Sequence, residues 1–92
     1  MAIHLDFTRN ITVVSKDIDR GVQRSCQFCP IALALRREFP DAEYIEVNSA
    51  YIVVDNKKCT TPKEAQEFIE KFDWSTDRNL INEQTLTLTF TW

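Results

Sequence analysis

The 92-residue sequence contains one glycine and one histidine. A lone glycine excludes the Gly-rich loops that cradle phosphates, and a lone histidine excludes the paired-histidine zinc motif of metalloproteases. His4 sits in an alternating segment beside Ile3 and Leu5, which reads as an exposed or hydrogen-bonded surface position. A general base would have to reach a reacting proton. No spacing recommends a Ser/His/Asp set or a calcium loop, so no catalytic residues are assigned and no enzyme is expected. No apolar run approaches the ~20 residues that cross a bilayer. The opening MAIHLDFTRN has no basic stretch followed by an apolar one, so no secretory signal is expected there. Positive charge is in deficit, with 11 Lys+Arg against 14 Asp+Glu and a net charge of −3. Phosphate backbones attract basic surfaces, so nucleic acid is not an expected partner. The longest basic grouping, Arg20, Arg24, Arg36 and Arg37, is interrupted by apolar residues and reads as solvated surface, with a local anion patch as the alternative.

The composition is otherwise that of a folded chain, 43% hydrophobic and 11% aromatic. Disordered segments are poor in such residues. Residues 1–92 read as one domain, and a chain this short buries only about 60–65% of its unfolded surface. Three cysteines cannot all enter a disulfide framework. In a reducing cytoplasm, the expected location, they are thiols or metal ligands.

The segment AIHLDFT alternates with period two, the mark of a half-buried strand. Arg9-Asn10 interrupts it before the β-branched ITVVS, so the chain either turns there or continues as one bent strand, the reading preferred. Ser15 fits the cap of a short helix that Gly21 ends in a left-handed conformation, and Asp17 and Asp19, flanking Ile18 on it, read as solvated charge. Pro30 suits a first helical turn, and Ile31, Ala32, Leu35 and Phe39 follow helical spacing up to Pro40. The segments YIEV and AYIVV are strands joined at Asn48-Ser49, and Asp55-Asn56 returns the chain through a short strand bearing Cys59. In TPKEAQEFIEKF, Thr61 and Glu64 fit a capping box, while Ala65, Phe68, Ile69 and Phe72 form one apolar stripe. Leu86, Leu88, Phe90 and Trp92 alternate with threonines in a closing strand. The expected fold is therefore α+β: a mostly antiparallel sheet of four to five strands with two main helices on one face, with a ferredoxin-like split β-α-β arrangement as one form of it. The terminal strands can pair with each other. If they do not, the closing strand presents an edge that invites a homodimer or strand addition.

The pair Cys26 and Cys29 admits three readings. A reversible disulfide is favoured by C-x-x-C spacing near a helix N-terminus, where thiolate is stabilised. Against it, a short helix and VQRS separate the motif from the preceding strand. A zinc site would need Cys26, Cys29, Cys59 and His4 to converge, and no second close pair exists. In the plain reading, free cysteines are small core hydrophobes, and this one is preferred, with no cofactor expected.

The run ITVVSKDIDRGVQRSCQFCPIALALRREFPDAEYIEV, then YIVVDNKK, TPKEAQEFIEKFD and LTLTFTW, resembles a set of small uncharacterised proteins encoded in bacteriophage and prophage-bearing bacterial genomes. The matching residues are Ile18, Gly21, Cys26, Cys29, Pro30, Ala32, Ala34, Leu35, Phe68, Phe72 and Asp73. The resemblance implies an accessory protein of the bacterial cytoplasm that acts by binding a host protein, and it brings no activity with it. A non-enzymatic protein-binding role is accordingly expected, with Trp74, Leu86, Leu88, Phe90 and Trp92 as the interaction candidates, since aromatic residues commonly anchor interfaces. The alternatives are a thiol-redox or zinc protein and a homo-oligomeric structural or regulatory protein.

Overall fold

A computed structural model describes residues 6–91. In chain order the elements are β1 (Asp6–Val13), α1 (Ser15–Arg20), α2 (Pro30–Glu38), β2 (Ile45–Val47), β3 (Tyr51–Val54), β4 (Lys57–Thr60), α3 (Lys63–Asp73), a single 3-10 turn at Arg78–Leu80, and β5 (Gln84–Thr91). The five strands form one sheet in the order β1-β5-β4-β3-β2, with every neighbouring pair antiparallel. The α+β class with two main helices is as the sequence implies. The split β-α-β form is not adopted: β1 and β2, joined through α1 and α2, stand at opposite rims with three strands between them, and β4 and β5, joined through α3, are direct neighbours. Among the described residues, no helix is long and apolar enough to cross a membrane.

The terminal strands do pair, and the threonine alternation explains their register. Thr8, Asn10 and Thr12 lie opposite Thr89, Thr87 and Thr85. The Thr8 and Thr89 hydroxyls are 3.0 Å apart, those of Thr12 and Thr85 are 3.1 Å apart, and Thr87 donates to Asn10 Oδ1 at 2.9 Å. Cross-strand pairs of this kind contribute roughly 0.2–1 kcal/mol each. A slip of one residue would turn those hydroxyls into the core and expose Leu86, Leu88 and Phe90. The three apolar side chains are fully buried. Because β5 lies between β1 and β4, they form core and not an interaction edge, which corrects the expectation for Leu86, Leu88 and Phe90. The strand at this rim is β1, and β2 stands at the other.

That first strand runs through Arg9-Asn10 without a turn. Arg9 occupies the same face as Phe7 and Ile11, which gives the pattern its interruption. Its guanidinium lies over the Phe7 and Phe39 rings, 5.7 and 5.2 Å from their centroids, and pairs with Glu38 at 2.7 Å. The long stem covers apolar surface while the charge stays in water.

Helix α2 packs against both β1 and β2, the two rims of the sheet. Four strand spacings of ~4.8 Å would hold the rims of a flat sheet roughly 19 Å apart, too far for one helix of ~10 Å diameter to touch both. The sheet therefore curls about α2. Ile31, Ala32, Ala34 and Leu35 fill the curl together with Ala65, Phe68 and Phe72 of α3. The stripe expected for α3 is present, but Thr61 does not cap it. The helix starts after Pro62, and the buried Thr61 hydroxyl donates to the Asn48 carbonyl at 2.7 Å.

Two readings of α1 are also corrected. Asp17 is buried rather than solvated. Its carboxylate accepts from Arg37 Nη1 at 2.8 Å, Arg37 Nη2 at 3.0 Å and the Val14 N–H at 3.0 Å. Gly21 ends α1 with φ −64°, so left-handed backbone is not its purpose. A Cβ placed there would lie 2.7 Å from the Pro30 ring and 2.9 Å from the Asp17 carbonyl oxygen. The residue is glycine because α2 begins against it.

This contact generates a test. At an unstrained φ, Gly→Ala ordinarily stabilises by about 0.4–1 kcal/mol through the unfolded chain. At Gly21 the clash involves a rigid ring and a helix carbonyl, and overpacking of that kind costs about 1–3 kcal/mol. Gly21→Ala is expected to lower the melting temperature, at roughly 4–8 °C per kcal/mol of net loss. A thermal melt at or above the wild-type value would show that α2 does not depend on this contact.

Candidate functional site

Between Gly21 and Pro30 the chain leaves α1 and returns almost to the same point. The Val22 N–H donates to the Phe28 carbonyl at 2.8 Å, closing the loop at its neck. The Phe28 N–H donates to Ser25 Oγ at 3.1 Å, and residues 26–28 form a turn directly ahead of α2. The loop is tied to the sheet where the Val47 N–H donates to the Cys26 carbonyl at 2.7 Å. It is tied to the end of α3 through Gln23 Nε2, which donates to the Phe72 and Ser75 carbonyls at 2.9 and 2.6 Å.

Arg24 adopts φ 58°, the left-handed region that a side chain with a Cβ seldom enters. Its N–H donates to Asp73 Oδ1 at 2.9 Å and its Nη1 to the Asp73 carbonyl at 3.4 Å. The guanidinium then lies 5.3 Å from the ring centroid of Trp74, which is 71% exposed. Arg24 is thus fastened to α3 and is not a freely solvated charge.

These ties leave a cleft. Loop residues Arg24, Ser25, Cys26 and Cys29 form one wall, Val47, Asn48 and Ser49 a second, and Ile69 and Asp73 the third, around a volume of about 210 Å³. A second hollow of about 370 Å³ adjoins it through Ser49, Ile69 and Asp73 and extends past Gln66 and Glu70 to Trp74. The β2–β3 turn that forms the middle wall is stiffened by Asn48 Oδ1, which accepts from the Ala50 and Tyr51 N–H groups at 2.9 and 2.8 Å. One hollow elsewhere, about 380 Å³ between β4 and β5, is lined mainly by threonines, with Lys58, Cys59 and Pro62. The first cleft holds two cysteines beside opposed charges, Arg24 and Asp73, and is the candidate site.

The two cleft thiols differ sharply. Cys26 is exposed, whereas Cys29 is buried at the N-cap of α2. Burial raises the Cys29 thiol to about 11, because the thiolate would lose its hydration there. The Ile31 and Ala32 amides pull it down, and the carboxylate of Asp73 and the thiol of Cys26 push it up further. Desolvation prevails over the helix terminus. Cys59, on β4, is also buried, its thiol raised by burial, and its sulfur donates to the Thr60 carbonyl at 3.2 Å.

The structure therefore brings together Cys26, Cys29 and Trp74, at opposite ends of one cleft, and leaves Cys59 out of it. The reading of all three cysteines as core fillers holds for Cys29 and Cys59 in their burial, and not for Cys26. Among the described residues, no three His, Cys, Asp or Glu side chains converge on a position for a metal ion. His4 and Trp92 lie outside the described residues. Sequence reasoning missed Arg24 and Asp73 as partners, because they are 49 positions apart and no periodicity links them. No family model, curated protein or solved structure matches the chain.

The burial difference predicts selective alkylation. Iodoacetamide at neutral pH is expected to label Cys26 alone in native protein, with Cys29 and Cys59 appearing only on unfolding. Where the native fold persists, Cys29 labelling should rise about tenfold per pH unit as its thiolate fraction grows toward pH 11. Peptide mapping reads both, and equal labelling of Cys26 and Cys29 at pH 7.5 would contradict the buried position.

Proposed function

We propose that this protein is a small non-enzymatic binding protein that takes a segment of a protein partner into the cleft between α3 and the 21–29 loop, with Trp74 as its anchor. One observation carries the reading. Trp74 leaves most of its ring in solvent at the end of the cleft, although tryptophan is usually well buried. The ring is held between order and exposure by Arg24, itself secured by Asp73. Exposed tryptophan and arginine are the residue types that dominate protein interfaces. Glu70 and Asp73 on one wall and Arg24 on the other present both signs of charge to a polar peptide. The wider setting, an accessory protein of phage or prophage type in the bacterial cytoplasm, belongs to this proposal and rests on the sequence resemblance and the thiol content.

Capture from bacterial lysate tests it. Trp74→Ala, at an exposed position, is expected to remain folded by circular dichroism and to lose at least about 30-fold in affinity for the captured partner, the scale of a hot-spot residue of ~2 kcal/mol. A folded Trp74→Ala protein that retains every interaction would remove the cleft from consideration.

Self-association is a second reading, favoured by the position of β1. This eight-residue strand is at the rim of the sheet with β5 as its ladder partner, and the Thr12 carbonyl on its outer side accepts from Arg37 Nη2 at 2.9 Å. Beyond that one occupied carbonyl, a rim of this length is a template for a second β1. Sedimentation equilibrium decides between them: a mass that rises with concentration and falls back in an Asn10→Pro variant supports strand pairing, and a monomer at every concentration excludes it.

A further inference from the structure

We propose that Cys26 and Cys29 are a redox dithiol, oxidised to an intramolecular disulfide by exchange with a low-molecular-weight disulfide such as oxidised glutathione. The inference is independent of the binding reading above. It stands on the placement of the pair. Both cysteines line one cleft, and residues 26–28 form a turn that leads from one to the other. A turn brings residues three apart to within roughly 7 Å at Cα, the span that a disulfide bridges. The carbonyl of Cys26 is fixed by the Val47 N–H and Cys29 by the start of α2, so closure requires side-chain rotation and little movement of the backbone.

The unequal burial sets the order of events. A disulfide in solvent meets Cys26, which is exposed, and not Cys29. Cys26 gives its proton to water, and its thiolate attacks one sulfur of the disulfide. A bond forms between Cys26 Sγ and that sulfur, the original S–S bond breaks, and the other half leaves as thiolate. Cys29 then gives its proton to water, which later returns one to the departing thiolate, and attacks Cys26 Sγ. The intramolecular S–S bond forms, the mixed disulfide breaks, and the second half leaves. Two protein thiols are oxidised and one small disulfide is reduced to two thiols, so atoms and electrons balance. The second step is the slower at neutral pH, since burial and the facing Asp73 carboxylate keep Cys29 protonated while the Ile31 and Ala32 amides steady the thiolate once formed. Cys59, outside the cleft, takes no part.

The test exposes reduced full-length protein to oxidised glutathione at pH 8, quenches with acid, and reads intact mass and peptide maps. The expected product has lost two protons, carries a Cys26–Cys29 disulfide and retains no glutathione. Cys29→Ser is expected to stop at a glutathione adduct on Cys26, and Cys26→Ser to react at least about tenfold more slowly. Excess dithiothreitol should restore the reduced mass. The wild-type map needs no variant to fold, and it overturns the proposal if the protein stays reduced or keeps a stable adduct on Cys26.

Discussion

Helix α2 begins where it does because residue 21 has no side chain. The Pro30 ring occupies the space where a Cβ would stand, and the Asp17 carbonyl closes the other side. Everything between these two residues is consequently a closed loop, with its neck sealed by the Val22–Phe28 hydrogen bond. The same contact sets the height at which α2 enters the curled sheet, and so which apolar residues meet β1 at one rim and β2 at the other. The position of the cysteine turn follows from that geometry, since it is the last stretch of chain before the helix and has nowhere to go but the surface beside β2.

A second constraint fastens the same junction by charge. Asp17 is buried and ionisable, and a buried carboxylate is tolerable only when paired and hydrogen-bonded. Arg37 on α2 supplies two donors and the Val14 N–H a third. Removal of one member of such a pair is far more costly than the net worth of the pair, because it strands the other charge. The pair therefore acts mainly to position α1 on α2. Arg9 and Glu38 make an ion pair of similar length, but both are solvated, and exposed pairs contribute about 0–1 kcal/mol. Arg78 reaches the Ile18 and Asp19 carbonyls near the end of α1 at 3.1 and 2.7 Å, where positive charge suits the helix terminus. Arg24, Arg37 and Arg78 of this acidic chain are thus intramolecular staples.

Legibility in the sequence followed the range of the interactions involved. Period-two alternation marked β5 and the apolar stripe marked α3, because both patterns arise from local geometry against a single core. The α+β class followed from them. What failed depended on contacts distant in sequence. The capping-box spacing at Thr61 is correct, yet the hydroxyl serves Asn48, thirteen residues earlier. Gly21 looked like a left-handed helix end, and its actual role is set by a proline nine positions on. Asp17 looked solvated because its partner is twenty residues away. Of the candidate site, Trp74 and the two cysteines could be singled out by residue type. Their arrangement in one cleft could not, since it depends on Gln23 and Arg24 reaching the far end of α3.

The reach of those two residues is also the strongest reason to regard the cleft as more than a seam between packed elements. Left-handed backbone at Arg24 costs roughly 1–2 kcal/mol for a residue with a Cβ, and such outliers persist only where the surroundings over-determine them. Here a hydrogen bond to a carboxylate, worth about 1.5–3 kcal/mol, offsets the strain. A relaxed loop could satisfy its backbone with water at lower cost, but it would release Arg24 from Asp73 and the Trp74 ring from Arg24. The strained conformation keeps an indole in solvent at one end of the cleft. The turn tied to Val47 keeps one thiol reachable and its neighbour shielded at the other. Packing of the core requires neither exposed group, and the proposed binding and redox roles each draw on one of them.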